Sequence, residues 1–151
     1  YNSRPLDQVI AAMLKYSNNF IANQLFLMLG AEKYTAPATL DKSRQMLKEF
    51  VDTHFQWQQY VVYDGAGLSR NNRLSARHLA EIAQKFAPYR NLMPSQKRAI
   101  RAKSGTLNGV SCYAGYVLRG GKWLTFALLI NQPVEYLFRE RLAEELLTTS
   151  F

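Results

Sequence analysis

The chain has 151 residues, a net charge of +8, 48% apolar residues and 13% aromatics. That is the size and composition of one compact domain with a real core, and it excludes a disordered segment. Its longest apolar runs, such as Phe126-Ala127-Leu128-Leu129-Ile130, are far too short to cross a bilayer.

Chemistry is narrowed further by what is scarce. The single Cys112 excludes an internal disulfide and, in a strand-like apolar run, reads as a structural thiol. His54 and His78 lie far apart with no Cys or His at ligand spacing, so no metal site and no cofactor are expected. The basic residues spread from Arg70 through Lys97, Arg98 and Arg101 to Lys122. Without interleaved aromatics they read as a solvated surface, so no nucleic-acid partner is expected. No signal or targeting segment is visible, and the start at Tyr1 suggests a processed product or a fragment.

In chain order, Ser3-Arg4-Pro5 reads as an entry loop, with Pro5 suited to a first helical turn. Leu6, Val9, Ile10, Met13 and Leu14 then mark one face of a helix over Leu6 to Tyr16. Ser17-Asn18-Asn19 interrupts it with residues that favour caps and turns. One of the three suffices to cap the next helix, which leaves others free to face a cleft. That second helix, Phe20 to about Leu29, is apolar nearly all round, which suits the middle of a domain, and Gly30 reads as its stop. A third helix is expected over Thr39 to Phe55, with Leu40, Met46, Leu47, Phe50 and Val51 on its apolar face.

A short strand, Tyr60 to Tyr63, leads into the glycine turn Asp64-Gly65-Ala66-Gly67-Leu68-Ser69. Asn71-Asn72-Arg73-Leu74 continues that loop. Ser75 makes a good N-cap for a helix over Ala76 to Phe86, and Pro88 and Pro94 bracket a further loop. Two apolar runs, Val110 to Leu118 and Trp123 to Ile130, join through Arg119-Gly120-Gly121-Lys122 as a hairpin. Their weak alternation predicts a sheet covered on both faces. Pro133 precedes a final amphipathic helix, Val134 to Leu147.

The chemical centre is Arg101-Ala102-Lys103-Ser104-Gly105-Thr106-Leu107, on a strand just before that hairpin. An ammonium, two hydroxyls and a residue without a Cβ are what a strand edge needs to grip a carboxylate. A solvated lysine entering a strand would read the same way in isolation.

The order of these parts carries more than any one of them. Ser17-Asn18-Asn19 between helices, the Asp-Gly-Ala-Gly-Leu-Ser loop, and Lys103-Ser104-Gly105 ahead of a hairpin and terminal helix resemble one known family. It is the serine D-alanyl-D-alanine carboxypeptidases/endopeptidases of the penicillin-binding protein 4 type, in their C-terminal part. The resemblance runs from Ser3 to Leu147. It implies an α/β (α+β) fold, an antiparallel sheet with packed helices, within the penicillin-binding/β-lactamase-like transpeptidase class. It departs from the family in one large respect: none of the serines, from Ser3 to Ser150, is followed three residues later by lysine. The whole chain, 1–151, is therefore expected to be the C-terminal part of one peptidase domain, with the nucleophile motif and inserted domains upstream in the same protein. Ser104 stands where threonine is usual, and Ala66 where many relatives have serine.

By that resemblance Ser17 relays a proton to the leaving amine, and Asn19 bonds the upstream lysine and the substrate amide. Lys103 places positive charge near the terminal carboxylate. Ser104 and Thr106 hydroxyls bind that carboxylate, Gly105 allows close approach, and the Thr106 N–H is half of an oxyanion hole. The implied partners are peptidoglycan stem peptides ending in D-Ala-D-Ala and β-lactams, in the periplasm. Two rival readings are a serine β-lactamase-like hydrolase and a non-catalytic basic module binding peptidoglycan or nucleic acid.

Overall fold

The computed structural model describes residues 3–97 and 99–148; Arg98 and Ser150 lie outside them. The chain forms two compact units, residues 16–74 and residues 1–15 with 75–151.

The 16–74 unit is a helical hairpin with a long loop. Helix α1 (Leu6–Tyr16) ends at its start, and α2 (Asn19–Tyr34) follows. Helix α2 runs straight through Gly30, where a stop is expected from the sequence. Gly30 is buried, and a Cβ built on it would sit 2.5 Å from Ser43 N and 2.8 Å from Lys42 C in α3 (Leu40–His54). The glycine thus serves close helix–helix approach rather than termination. The buried position expected for α2 is also corrected. Only Phe26 and Gly30 are buried, while Phe20, Met28 and Leu29 are 73%, 62% and 41% exposed. Thr39, expected as the first residue of α3, is instead its N-cap, its side chain accepting from Lys42 N, and Val51 is buried while Leu40 and Phe50 stay exposed. The strand expected over Tyr60 to Tyr63 is a single antiparallel bridge, Val61 to Arg73, because no further strand lies beside it among the described residues.

The other unit is a four-stranded antiparallel sheet in sequential order: β1 (Ser95–Lys97), β2 (Ile100–Leu107), β3 (Val110–Arg119) and β4 (Lys122–Ile130). Gly120 and Gly121 have φ of 54° and 75°, the backbone a tight hairpin needs. A second tight turn, Asn108-Gly109, joins β2 to β3, with Leu107 paired to Val110. Both sheet faces are covered, as the apolar runs predict. One face carries Ile100, Ala102, Tyr113, Val117 and Phe126, which pack on Ala143 of α5 (Phe138–Thr148). The other meets α4 (Ala76–Phe86), where the buried Tyr116 hydroxyl donates to Ala83 O at 2.6 Å. Ser75 and His78 close a capping box on α4. The segment between the two prolines is a 3₁₀ turn, Ala87–Leu92, not an irregular loop. Helix α5 begins at Phe138 rather than Val134, because Leu137 takes a φ of 60°, outside helical space.

Candidate functional site

The predicted residues fall in both units, Ser17 and Asn19 in one and Lys103 to Thr106 in the other.

The polar triplet divides its work by position. Asn18 is the N-cap of α2, and its Oδ1 accepts from Ile21 N at 3.0 Å. Asn19 is the first helical residue, exposed at the positive end of the helix. Ser17 is exposed and left-handed, with φ 51°. A residue with a Cβ is held there at a cost of about 1–2 kcal/mol. The cap is therefore Asn18, which leaves the two predicted site residues on either side of it.

The glycine loop is built onto the same helix. Asp64 accepts from Gly67 N at 2.6 Å and Ser69 N at 2.7 Å, and Asn72 Nδ2 donates to it at 3.3 Å. Ala66 N donates to Asn23 Oδ1 at 3.0 Å, one turn along α2 from Asn19. A Cβ on Gly65 would lie 2.6 Å from both Ala22 O and Phe26 Cβ, so only glycine lets the loop seat this closely. The loop is thus a brace for the start of α2. No carboxylate in it is left to act as a base: Asp64 is committed to the turn.

In the sheet unit, the register settles which way β2 presents its backbone. Leu118 N donates to Ala99 O at 2.8 Å on the β3 side, whereas Ala102 N donates to Pro94 O at 3.1 Å on the other. Backbone groups alternate along a strand, so those of Ser104 and Thr106 face away from β3. Strand β1 pairs only with Ile100 and Arg101. From Lys103 onward that edge of β2 has no strand partner among the described residues. A strand edge of this kind offers donors and acceptors to an extended peptide.

Lys103 is half-buried, and its Nζ donates to Ser104 O at 2.6 Å, which draws the ammonium to the same edge. Burial, and then the nearby charge of Arg139, hold its pKa below the usual lysine range. Gly105 is exposed, paired across the ladder with Cys112. Burial pushes the Cys112 thiol up, against the Arg139 charge, which is the wrong direction for a nucleophile. Thr106 is exposed, and its Oγ1 accepts from Arg139 Nη1 at 2.8 Å. Its own proton remains available to a carboxylate.

Arg139 is the residue that the sequence does not single out. Its Nη1 also donates to Gly105 O and Ser111 Oγ, both at 3.0 Å. It stands 33 residues from Thr106, on α5, with no motif around it. Two other basic residues near the sheet are used structurally. Arg101 Nη1 reaches Asn91 O and Met93 O at 3.4 Å, and Arg90 Nη1 reaches Ala87 O at 3.2 Å. Both histidines are held locally, His54 Nδ1 against Phe50 O at 2.9 Å and His78 in its capping box. Among the described residues no group of three or more His, Cys, Asp or Glu could hold a metal ion.

A family model described as D-Ala-D-Ala carboxypeptidase 3 (S13) matches residues 1–97, which hold the polar triplet and the glycine loop. The chain belongs to the D-Ala-D-Ala carboxypeptidase 3 (S13) family. Its curated relatives include D-alanyl-D-alanine carboxypeptidase DacB of Haemophilus influenzae, 23% identical over 85% of this chain and 32% of that protein. Similar solved structures include penicillin-binding protein 4 (dacB) of H. influenzae complexed with a β-lactam, at a TM-score of 0.85 and 23% identity. That match covers 97% of this chain and 42% of the other. A predatory endopeptidase of Bdellovibrio bacteriovorus, bound to its immunity protein, matches at a TM-score of 0.73 and 17% identity, over 95% of this chain and 42% of its own. The S13 chain described here thus spans about a third of the curated relative. Strand β2 lies beyond the family match, and for Lys103 to Thr106 the likeness to solved structures supplies the fold. No described helix is long and apolar enough to cross a membrane.

Proposed function

We propose that residues 1–151 are the C-terminal part of one serine D-Ala-D-Ala carboxypeptidase/endopeptidase domain that acts on peptidoglycan stem peptides in the periplasm and is acylated by penicillins. The carrying observation is that β2 presents the Ser104 and Thr106 backbone at an edge with no strand partner among the described residues, directly after a desolvated lysine. Membership of the S13 family supports the peptidase over the β-lactamase-like and binding-module readings. The exposed apolar faces of Phe20, Met28 and Leu29 support the view that further chain of the same domain covers α2.

The reaction is an acyl transfer. An upstream Ser-x-x-Lys serine attacks the penultimate D-Ala carbonyl, and the C–N bond to the terminal D-Ala breaks. The substrate lies extended along β2, with its terminal carboxylate held by Ser104 and Thr106 hydroxyls and the Lys103 ammonium. Gly105 offers no Cβ to obstruct it. The Thr106 N–H meets the developing oxyanion, a contact worth about 10²–10³ in rate. Ser17 passes a proton to the departing amine, and Asn19 holds the upstream lysine and the substrate amide. Water then releases the acyl group.

The test is release of free D-alanine from a peptide ending in D-Ala-D-Ala by the full-length protein. Lys103→Ala and Ser17→Ala are each expected to lower kcat/KM by at least 100-fold. Release that survives both substitutions would refute the assignment.

A further inference from the structure

We propose that Arg139 is a positioning residue of this site, fixing the Gly105–Thr106 peptide plane so that the Thr106 N–H faces the open edge of β2. The inference rests on the peptidase reading above and adds to it a residue from outside the motifs.

The carbonyl of Gly105 and the N–H of Thr106 belong to one rigid trans unit and point in opposite directions. Gly105 faces β3, where it pairs with Cys112, so a second hold on Gly105 O reinforces the outward aim of the Thr106 N–H. Arg139 Nη1 holds that oxygen at 3.0 Å and, from the same nitrogen, Thr106 Oγ1 at 2.8 Å. It grips the plane and the residue after it together. This second restraint falls on the strand's glycine, beyond its ladder pairing with Cys112. Gly105 is the most permissive residue of the strand, and the edge beside it has no strand partner among the described residues.

Arg139 is itself well anchored. Its side chain is only 17% exposed, Ser111 Oγ accepts from it at 3.0 Å, and Nε donates to Glu140 Oε1 at 3.0 Å. It also sits where local rules disfavour a cation. It is the second residue of α5, at the positive end of the helix dipole, and its charge opposes that of Lys103. Glu140 offsets part of that cost. A residue kept against local preference, gripping the backbone of a proposed oxyanion donor, points to function. Acting on the chemical step through the Thr106 N–H, it is expected to change the rate constant far more than ground-state binding, in which the Thr106 hydroxyl shares the carboxylate with Ser104 and Lys103.

The experiment measures acylation of the full-length protein by a chromogenic penicillin, separating the acylation rate constant from the dissociation constant of the complex that precedes it. Arg139→Gln is expected to lower the rate constant about 10–100-fold and leave the dissociation constant within threefold. Arg139→Lys, which keeps the charge without the fork, is expected to lower it at least threefold, and it carries the test alone should Arg139→Gln fail to fold. A loss below fivefold in Arg139→Gln, a loss confined to the dissociation constant, or a full rate in Arg139→Lys would overturn the proposal. Unaltered protein that takes no penicillin would instead overturn the peptidase reading.

Discussion

Gly30→Ala is the substitution for which local and tertiary reasoning give opposite signs. Helix propensity alone favours alanine by about 1 kcal/mol in a helix interior. Here the new methyl would stand 2.5 Å from Ser43 N, 2.8 Å from Lys42 C and 2.8 Å from Ser43 Oγ. Two of these are backbone atoms of α3, which cannot swing aside as a side chain can. Ser43 Oγ is also engaged, donating to Thr39 O at 3.0 Å. Overpacking of this kind costs about 1–3 kcal/mol, and rigid neighbours place it at the upper end. The net expectation is about 2 kcal/mol of destabilisation, or roughly 1 M off the urea midpoint for an m-value of about 2 kcal/mol/M. Urea unfolding followed by circular dichroism measures it. A midpoint that rises, as propensity predicts, would refute the claim that α2 and α3 meet at Gly30.

Three further outcomes follow from the same geometry. Asn18→Ala is expected to cost about 1 kcal/mol through loss of the α2 cap, and Asn18→Asp close to nothing; equal stability of all three proteins in urea would contradict the capping role. Asp64→Ala removes the acceptor for Gly67 N and Ser69 N, so exchange of those two amides is expected to accelerate by more than tenfold. Unchanged protection would show that the loop holds without its aspartate. Because the folded pKa of Lys103 lies below its unfolded value, the unfolded chain binds more protons between the two. Its contribution to stability is fully present above about pH 10.4 and is lost as pH falls through the lowered folded value. Lys103→Met is expected to flatten that alkaline rise in urea midpoints measured against pH, and a superimposable profile would count against a desolvated ammonium.

What the sequence discloses and what it conceals divide along physical lines. Ser75 is legible as a cap because a cap is a local bond, here accepting from an N–H three residues on. The Gly120-Gly121 hairpin is legible for the same reason. Gly30 misleads because a glycine that ends a helix and one that admits a neighbouring helix look alike until α3 is in place. Tyr60 to Tyr63 has strand-like side chains but only one bridge partner among the described residues, and strand propensity without a neighbour makes no sheet. Asn108-Gly109 is a readable turn signal overshadowed by the apolar runs beyond it. Ser17, Asn19 and Lys103 to Thr106 are proposed as site residues through motif order. Arg139 is not, since its tie to Gly105 and Thr106 spans more than thirty residues and exists only once α5 lies on the sheet.

The central claim is that this chain supplies the lysine-bearing strand of a penicillin-reactive serine peptidase. Mass spectrometry after incubation with penicillin tests it directly, on the full-length protein, its Lys103→Ala variant and the 151-residue chain alone. One penicilloyl adduct is expected on the full-length protein, with acylation slowed at least 100-fold by Lys103→Ala and no adduct on the chain alone. An adduct on the 151-residue chain, or a Lys103→Ala variant that acylates at the unaltered rate, would contradict it.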